Sequence, residues 1–225
     1  MLRTLYDDDV DSINYQYCNL VYIYIYIYVY ILCLGKDWDP DNVRCKTEEE
    51  ITTDLQQLRQ VTSRIRILSL VDCNQGSLVL KVARTFNFQI FIGLWVGPNS
   101  NVIQSEINEL KRLIQEESSY FDSSNNYVIG ISVGSEALWR EDVTLSNLLE
   151  YKDTVKSTLL DANLDHIPTT IVDISDTYIR NSPTLYNEVD VIMINNFAFW
   201  EPTLIQDPIL APNFMANTRY VHSTN

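Results

Sequence analysis

The sequence predicts an α/β fold on a parallel sheet and, among parallel architectures, a (β/α)-barrel. Three observations carry this. Short apolar runs alternate with 10- to 18-residue stretches of helical spacing, the pattern of strands covered on both faces by crossover helices. Several runs end in a polar or aromatic residue, namely Asp72, Trp95, Glu136, Asp173, and Asn195 with Trp200. The carboxyl ends of parallel strands are where such folds assemble their sites. No run leads into GxGxxG or a P-loop, so a nucleotide-binding doubly wound sheet is the weaker choice.

Residues 1–34 stand apart from this pattern, as a low-complexity Tyr/Ile-rich segment holding 8 of the 14 tyrosines. The flank before the apolar run carries Asp7, Asp8, Asp9 and Asp11, the wrong sign for the n-region of a signal peptide. Tyr22 to Tyr30 alternates tyrosine with isoleucine or valine, the period-2 signal of a strand. The uncharged run Leu20 to Leu34 has 15 residues. As a helix it spans roughly 22 Å, short of a bilayer core of about 30 Å. Three readings stand: a strand, a membrane anchor over residues 20–34, and a TA dinucleotide tract read into the coding sequence.

From Gly35 the elements follow in order. Thr47 to Glu50 forms a capping box, and Ile51, Leu55, Leu58 and Val61 continue it as a helix. Ile65 to Val71 reads as a strand, and Leu78, Val82 and Phe86 mark the next helix. Gln89 to Val96 is a buried strand stopped by Gly97-Pro98. Ile103, Ile107, Leu110 and Ile114 give a third helix, Tyr127 to Val133 a strand that runs into Gly134-Ser135-Glu136. Thr144 opens a fourth helix, and Ile167 to Ile174 and Val189 to Ile194 are two further strands.

Composition narrows the function. With 46% apolar residues in 225, the chain can bury a core. A net charge of -14 and a pI near 4.4 exclude nucleic acid, whose phosphates need a basic footprint. Two histidines and four scattered cysteines, with no CxxC or HExxH, offer no metal site.

Glu136 is the strongest candidate for chemistry. A carboxyl group where an apolar strand opens into a cleft is partly desolvated, which raises its pKa as a general acid requires. The other reading, a glutamate capping a helix or meeting Arg140, remains open. Trp95, Trp139 and Trp200 are sugar-stacking platforms or core. Asn195 and Asp173 bind hydroxyls or cap loops. A Ser-His-Asp triad has little support, because His166 begins a strand and His222 lies in the tail.

The stretch Gly130-Ile131-Ser132-Val133-Gly134-Ser135-Glu136-Ala137-Leu138-Trp139-Arg140 resembles the acid/base strand of glycoside hydrolase family 17. The likeness is to the branch of fungal cell-wall β-1,3-glucanases and glucanosyltransferases. Cys45-Lys46, Arg64 to Asn74, Ile92 to Val96 and Asn195 to Trp200 agree in order and spacing. The resemblance implies a (β/α)8 TIM barrel and retaining cleavage of β-1,3-glucan without cofactor or metal, in the cell wall or outside the cell. It places Glu136 on the proton donor and Arg66, Asp72, Trp95, Asp173, Asn195, Phe197 and Trp200 in substrate binding. Cys45 and Cys73 can pair, which suits an oxidising compartment.

Three departures qualify it. The Glu-Thr-Gly-Trp-Pro motif that supplies the family's nucleophile is absent, and Glu201 before Pro202 is a poor substitute. Asp173 is followed by Ile174-Ser175 where the family tends to tryptophan, and Ser135 stands where many relatives have asparagine. The expectation is therefore an incomplete barrel over residues 35–225, about six of eight βα units, poorly soluble and without turnover. In it, the Tyr/Ile run stands in as the first strand. The rival expectation is a catalytically dead glucan-binding or wall-structural protein.

Overall fold

A computed structural model describes Tyr28–Val29, Cys33–Leu34 and residues 44–195. Helix α1 (Glu48–Leu58) starts on the expected capping box. The Glu50 N–H donates to Thr47 Oγ1 at 3.3 Å and the Thr47 N–H donates to Glu50 Oε2 at 2.9 Å, satisfying donors that the first turn would leave orphaned. Helices α2 (Gln75–Thr85), α3 (Ser100–Glu116) and α4 (Leu145–Asp161) follow, with Asn99 and Thr144 capping the last two. Their apolar stripes, among them Leu55, Val79, Ile107, Leu110, Val155 and Leu159, join Ile65, Ile92, Ile131 and Ile171 of the strands in one core.

Among the described residues the sheet has six parallel strands in the order β1 (Tyr28–Val29), β4 (Arg64–Arg66), β5 (Gln89–Leu94), β6 (Val128–Ser135), β7 (Thr169–Asp173) and β8 (Met193–Ile194). Neighbours in space follow chain order, as barrel winding requires. Beside it, β2 (Cys33–Leu34) and β3 (Arg44–Cys45) pair antiparallel. Tyr28 aligns with Ile65 and Val29 with Arg66, so part of the Tyr/Ile run is the first strand; the rest of residues 1–34 lies outside the described residues. No helix among the described residues is long and apolar enough to cross a membrane.

Two strands are less than half as long as their apolar runs. The run Ile65 to Val71 ends as a strand at Arg66, with Ile67 still donating to the Phe91 carbonyl at 3.1 Å; beyond it Ser69 Oγ takes the N–H groups of Val71 and Asp72, at 3.1 and 2.9 Å. A serine that binds its own backbone in this way offers an alternative to the ladder. In the run Val189 to Ile194 only Met193–Ile194 pairs with β7. Helices α5 (Ser175–Arg180) and α6 (Thr184–Asn187) were not expected, being too short to show a period.

Gly93 on β5 lets the segment after β4 cross the sheet closely. A Cβ at this position would lie 2.2 Å from the Ile67 carbonyl oxygen and 2.9 Å from Leu68 Cα. The Cys45–Cys73 disulfide, with Cα atoms 5.2 Å apart, ties β3 to the turn after β4. Closing its 28-residue separation contributes about 3 to 4 kcal/mol in the chain-entropy model. Because the atoms facing Gly93 are backbone, they cannot give way as a flexible side chain would. Gly93→Ala should therefore lower the unfolding free energy in urea by about 3 kcal/mol.

Candidate active site

Five of the predicted residues sit at carboxyl ends of parallel strands: Arg66 ends β4, Trp95 follows β5, Glu136 follows β6, Asp173 ends β7 and Asn195 follows β8. Glu136 is presented by an irregularity. The β6–β7 register shifts between Val133 and Ser135, around Gly134 at φ +77°. Such a bulge re-aims the residues that follow it. Glu136 itself has φ +59°, a conformation that costs a non-glycine residue of order 1 kcal/mol.

Asp173 holds this strained turn. It is fully buried, and its Oδ2 accepts from the N–H groups of Leu138 and Trp139 at 3.1 and 3.4 Å, while Oδ1 accepts from Ile174 at 2.8 Å. The Glu136 N–H donates to the Val172 carbonyl at 2.9 Å. Of the two roles its position left open, loop cap and hydroxyl ligand, the geometry gives Asp173 the first.

The Glu136 side chain is half-buried, and Asn195 Nδ2 donates to its Oε1 at 2.8 Å and to Ser135 Oγ at 3.0 Å. Asn195 Oδ1 in turn accepts from Arg66 Nη1 at 3.1 Å. Residues 66, 136 and 195 thus form one chain of hydrogen bonds across three strand ends. Arg66 is only 2% exposed, and its Nε and Nη2 have no hydrogen-bond partner among the described residues. Burial lowers the guanidinium to about 10, opposed by the charge of Glu136 and by Tyr178; at neutral pH it stays cationic. The result is a half-exposed carboxyl beside an amide donor and a buried cation.

Trp95 is half-buried, with the Arg140 guanidinium 4.6 Å from its ring centroid. Arg140 also reaches the Val96 carbonyl at 3.2 Å, the Ser135 carbonyl, and Asp142 at 2.8 Å. Its partner is therefore Asp142 and not Glu136, and it clamps the ends of β5 and β6. Asp72 lies exposed in a single 3-10 turn, Asp72–Asn74, and Trp139 is 53% exposed. Phe197, Trp200 and Glu201 lie outside the described residues. Sequence reasoning missed the roles of Ser135 and of Arg140 at Trp95. The only signal for either was proximity to Glu136 in the chain.

A family model described as the BtgE/BtgC glycoside hydrolase domain matches residues 36–220. A glucan 1,3-beta-glucosidase of Saccharomyces cerevisiae is 27% identical over 170 residues, covering 72% of this chain and 52% of that protein. A glycoside hydrolase family 17 β-1,3-glucanosyltransferase from Rhizomucor miehei superposes with TM-score 0.62 at 27% identity, over 78% of this chain and 58% of that one. An active-site mutant of the same Rhizomucor miehei enzyme, in complex with laminaritriose, gives TM-score 0.62 at 25% identity, over 85% and 66%. The chain spans about half the length of the curated relatives it matches.

The cap on the Glu136 turn is open to test. In Asp173→Asn an amide replaces a carboxylate facing three backbone donors, so at least one buried N–H loses its partner. Unfolding in urea should show a loss of about 1 to 3 kcal/mol, and trypsin should cut first at Arg140.

Proposed function

The chain belongs to the BtgE/BtgC glycoside hydrolase family, in the fungal cell-wall branch of family 17, and from that premise we propose that it processes β-1,3-glucan with Glu136 as proton donor. One observation carries the assignment of Glu136: its carboxyl stands at the strand-end face, bonded to Asn195 at 2.8 Å. In retaining chemistry the donor protonates the glycosidic oxygen as the bond from the anomeric carbon breaks. A second carboxylate, roughly 5 Å from the first, takes up that carbon; the family's motif for it is absent from this sequence, so turnover requires a carboxylate outside that motif. Water or a sugar hydroxyl then attacks the glycosyl intermediate, giving its proton back to the donor.

The rest of the site suits a neutral polysaccharide. Asn195 and Arg66 border the groove through the Glu136 carboxyl they support, and Trp95 offers an aromatic face for a pyranose, while the charge of -14 repels polyanions. In this reading Phe197, Trp200 and Asp72 extend the groove. The cell wall or another extracellular setting is part of the same proposal, and the Cys45–Cys73 disulfide supports it. A boundary of composition near residue 34 is likewise proposed, with the sheet taking its first strand, Tyr28–Val29, from before it.

A second reading is a glucan-binding protein without turnover. What favours it is that the motif supplying the family's nucleophile is absent from this sequence. One experiment separates the two: retention of the chain on insoluble β-1,3-glucan, together with reducing-sugar release from laminarin. Processing predicts retention and release, with Glu136→Gln releasing 10² to 10⁴ times less, the usual contribution of a general acid. Retention without release gives the binding reading. A chain that is folded yet not retained contradicts both.

A further inference from the structure

Glu106 lies on α3, outside the strand-end site, and is 2% exposed. Ser69 Oγ donates to its Oε1, and the Leu70 N–H donates to its Oε2 at 2.7 Å. The Trp95 N–H acts on the same carboxyl group. Ser69 Oγ also takes the N–H groups of Val71 and Asp72, at 3.1 and 2.9 Å. A single buried side chain therefore gathers the segment after β4, which carries Asp72 and the disulfide at Cys73, and the Trp95 N–H at the end of β5 lies close enough to stabilise its charge.

A buried carboxyl is costly unless its oxygens are satisfied, and nothing in the packing of α3 on the sheet needs one: Ile103, Ile107, Leu110 and Leu113 already fill that face. We propose that Glu106 is a positioning residue for the glucan groove, locking the Asp72 loop and the Trp95 strand end in one relative placement. The role rests on the glucan reading above. It acts through backbone that would otherwise need water at a site that burial denies it.

The same group should make that placement sensitive to pH. Burial raises the Glu106 carboxyl to about 7; the bonds from Ser69, Leu70 and Trp95 oppose the rise, and the charge of Asp72 adds to it. The folded chain thus holds this proton more tightly than the unfolded one. The stability it contributes is full below the ordinary carboxylate range and is lost as pH rises through about 7. The ionised form meets its two hydrogen-bond donors, Ser69 and Leu70, more strongly, so the lock itself changes across the same midpoint.

The test records amide ¹H–¹⁵N spectra of the chain and of Glu106→Gln across neutral pH, with the Kd for laminarihexaose on either side of the midpoint. The Leu70 and Trp95 amides should titrate together near pH 7 in the unmodified chain, and this shared titration should vanish in the variant. The Kd should change at least threefold across the midpoint in the unmodified chain and not in Glu106→Gln. Ser69→Ala keeps the carboxyl but removes a bond that favours its ionised form, so it should raise the midpoint by at least half a pH unit; it serves if the first variant does not fold. Separate midpoints for the two amides, an unchanged titration in Glu106→Gln, or an unmoved midpoint in Ser69→Ala would each overturn the proposal. A chain that keeps the joint titration but binds no laminarihexaose retains the lock and loses the glucan reading.

Discussion

The sheet has to curl, because the hydrogen bond between Arg66 on β4 and Asn195 after β8 closes only if two strand ends four positions apart come together. In a flat sheet those ends would be separated by about 19 Å, at roughly 4.8 Å per strand. The observed distance is 3.1 Å between Nη1 and Oδ1, well within reach of one arginine side chain only if the sheet bends like the wall of a barrel. Glu136, on the strand midway between them, then lies against Asn195. The site is a consequence of curvature, and every residue proposed to act there depends on it.

Curvature alone does not present a carboxyl group to a groove. Gly134 and Glu136 both adopt positive φ, and that strain is held by the buried Asp173, by the Val172 carbonyl and by Arg140 in the same turn, bonded to the Ser135 carbonyl. The polar groups around Glu136 thus divide between those that face it and those that fix the backbone beneath it. Arg66 belongs to the first set and carries the larger desolvation cost. A buried cation with two unpartnered nitrogens among the described residues persists where the surroundings give it a role, here a positive field on an otherwise acidic protein.

Much of this was legible in the sequence, and for physical reasons. Helix starts were readable where caps are local and recognisable: Thr47 with Glu50, and Thr144, act within three residues. Strand-end polar residues marked the site because parallel strands are apolar until they leave the sheet. The Arg66–Asn195 contact was not readable, since 129 positions separate its partners and no local pattern records how far a sheet bends. Asp173 was read as a hydroxyl ligand or a loop cap, and only the fold could decide. Glu106 was invisible, because an acidic residue within a helical stripe reads as solvated until its neighbours are known. The turn that ends the run Ile65 to Val71 was likewise hidden, as Ser69 takes the N–H groups of Val71 and Asp72 through bonds that an apolar run does not advertise.

The curled arrangement is tested most directly by a double-mutant cycle between the two strand ends, using Arg66→Met, Asn195→Leu and the pair, with unfolding free energies from urea. If the ends meet as described, the two substitutions are coupled by about 1 to 3 kcal/mol, because each removes the other's partner. Effects that add to within about 0.5 kcal/mol, the behaviour of distant sites, would contradict the contact and with it the placement of Glu136.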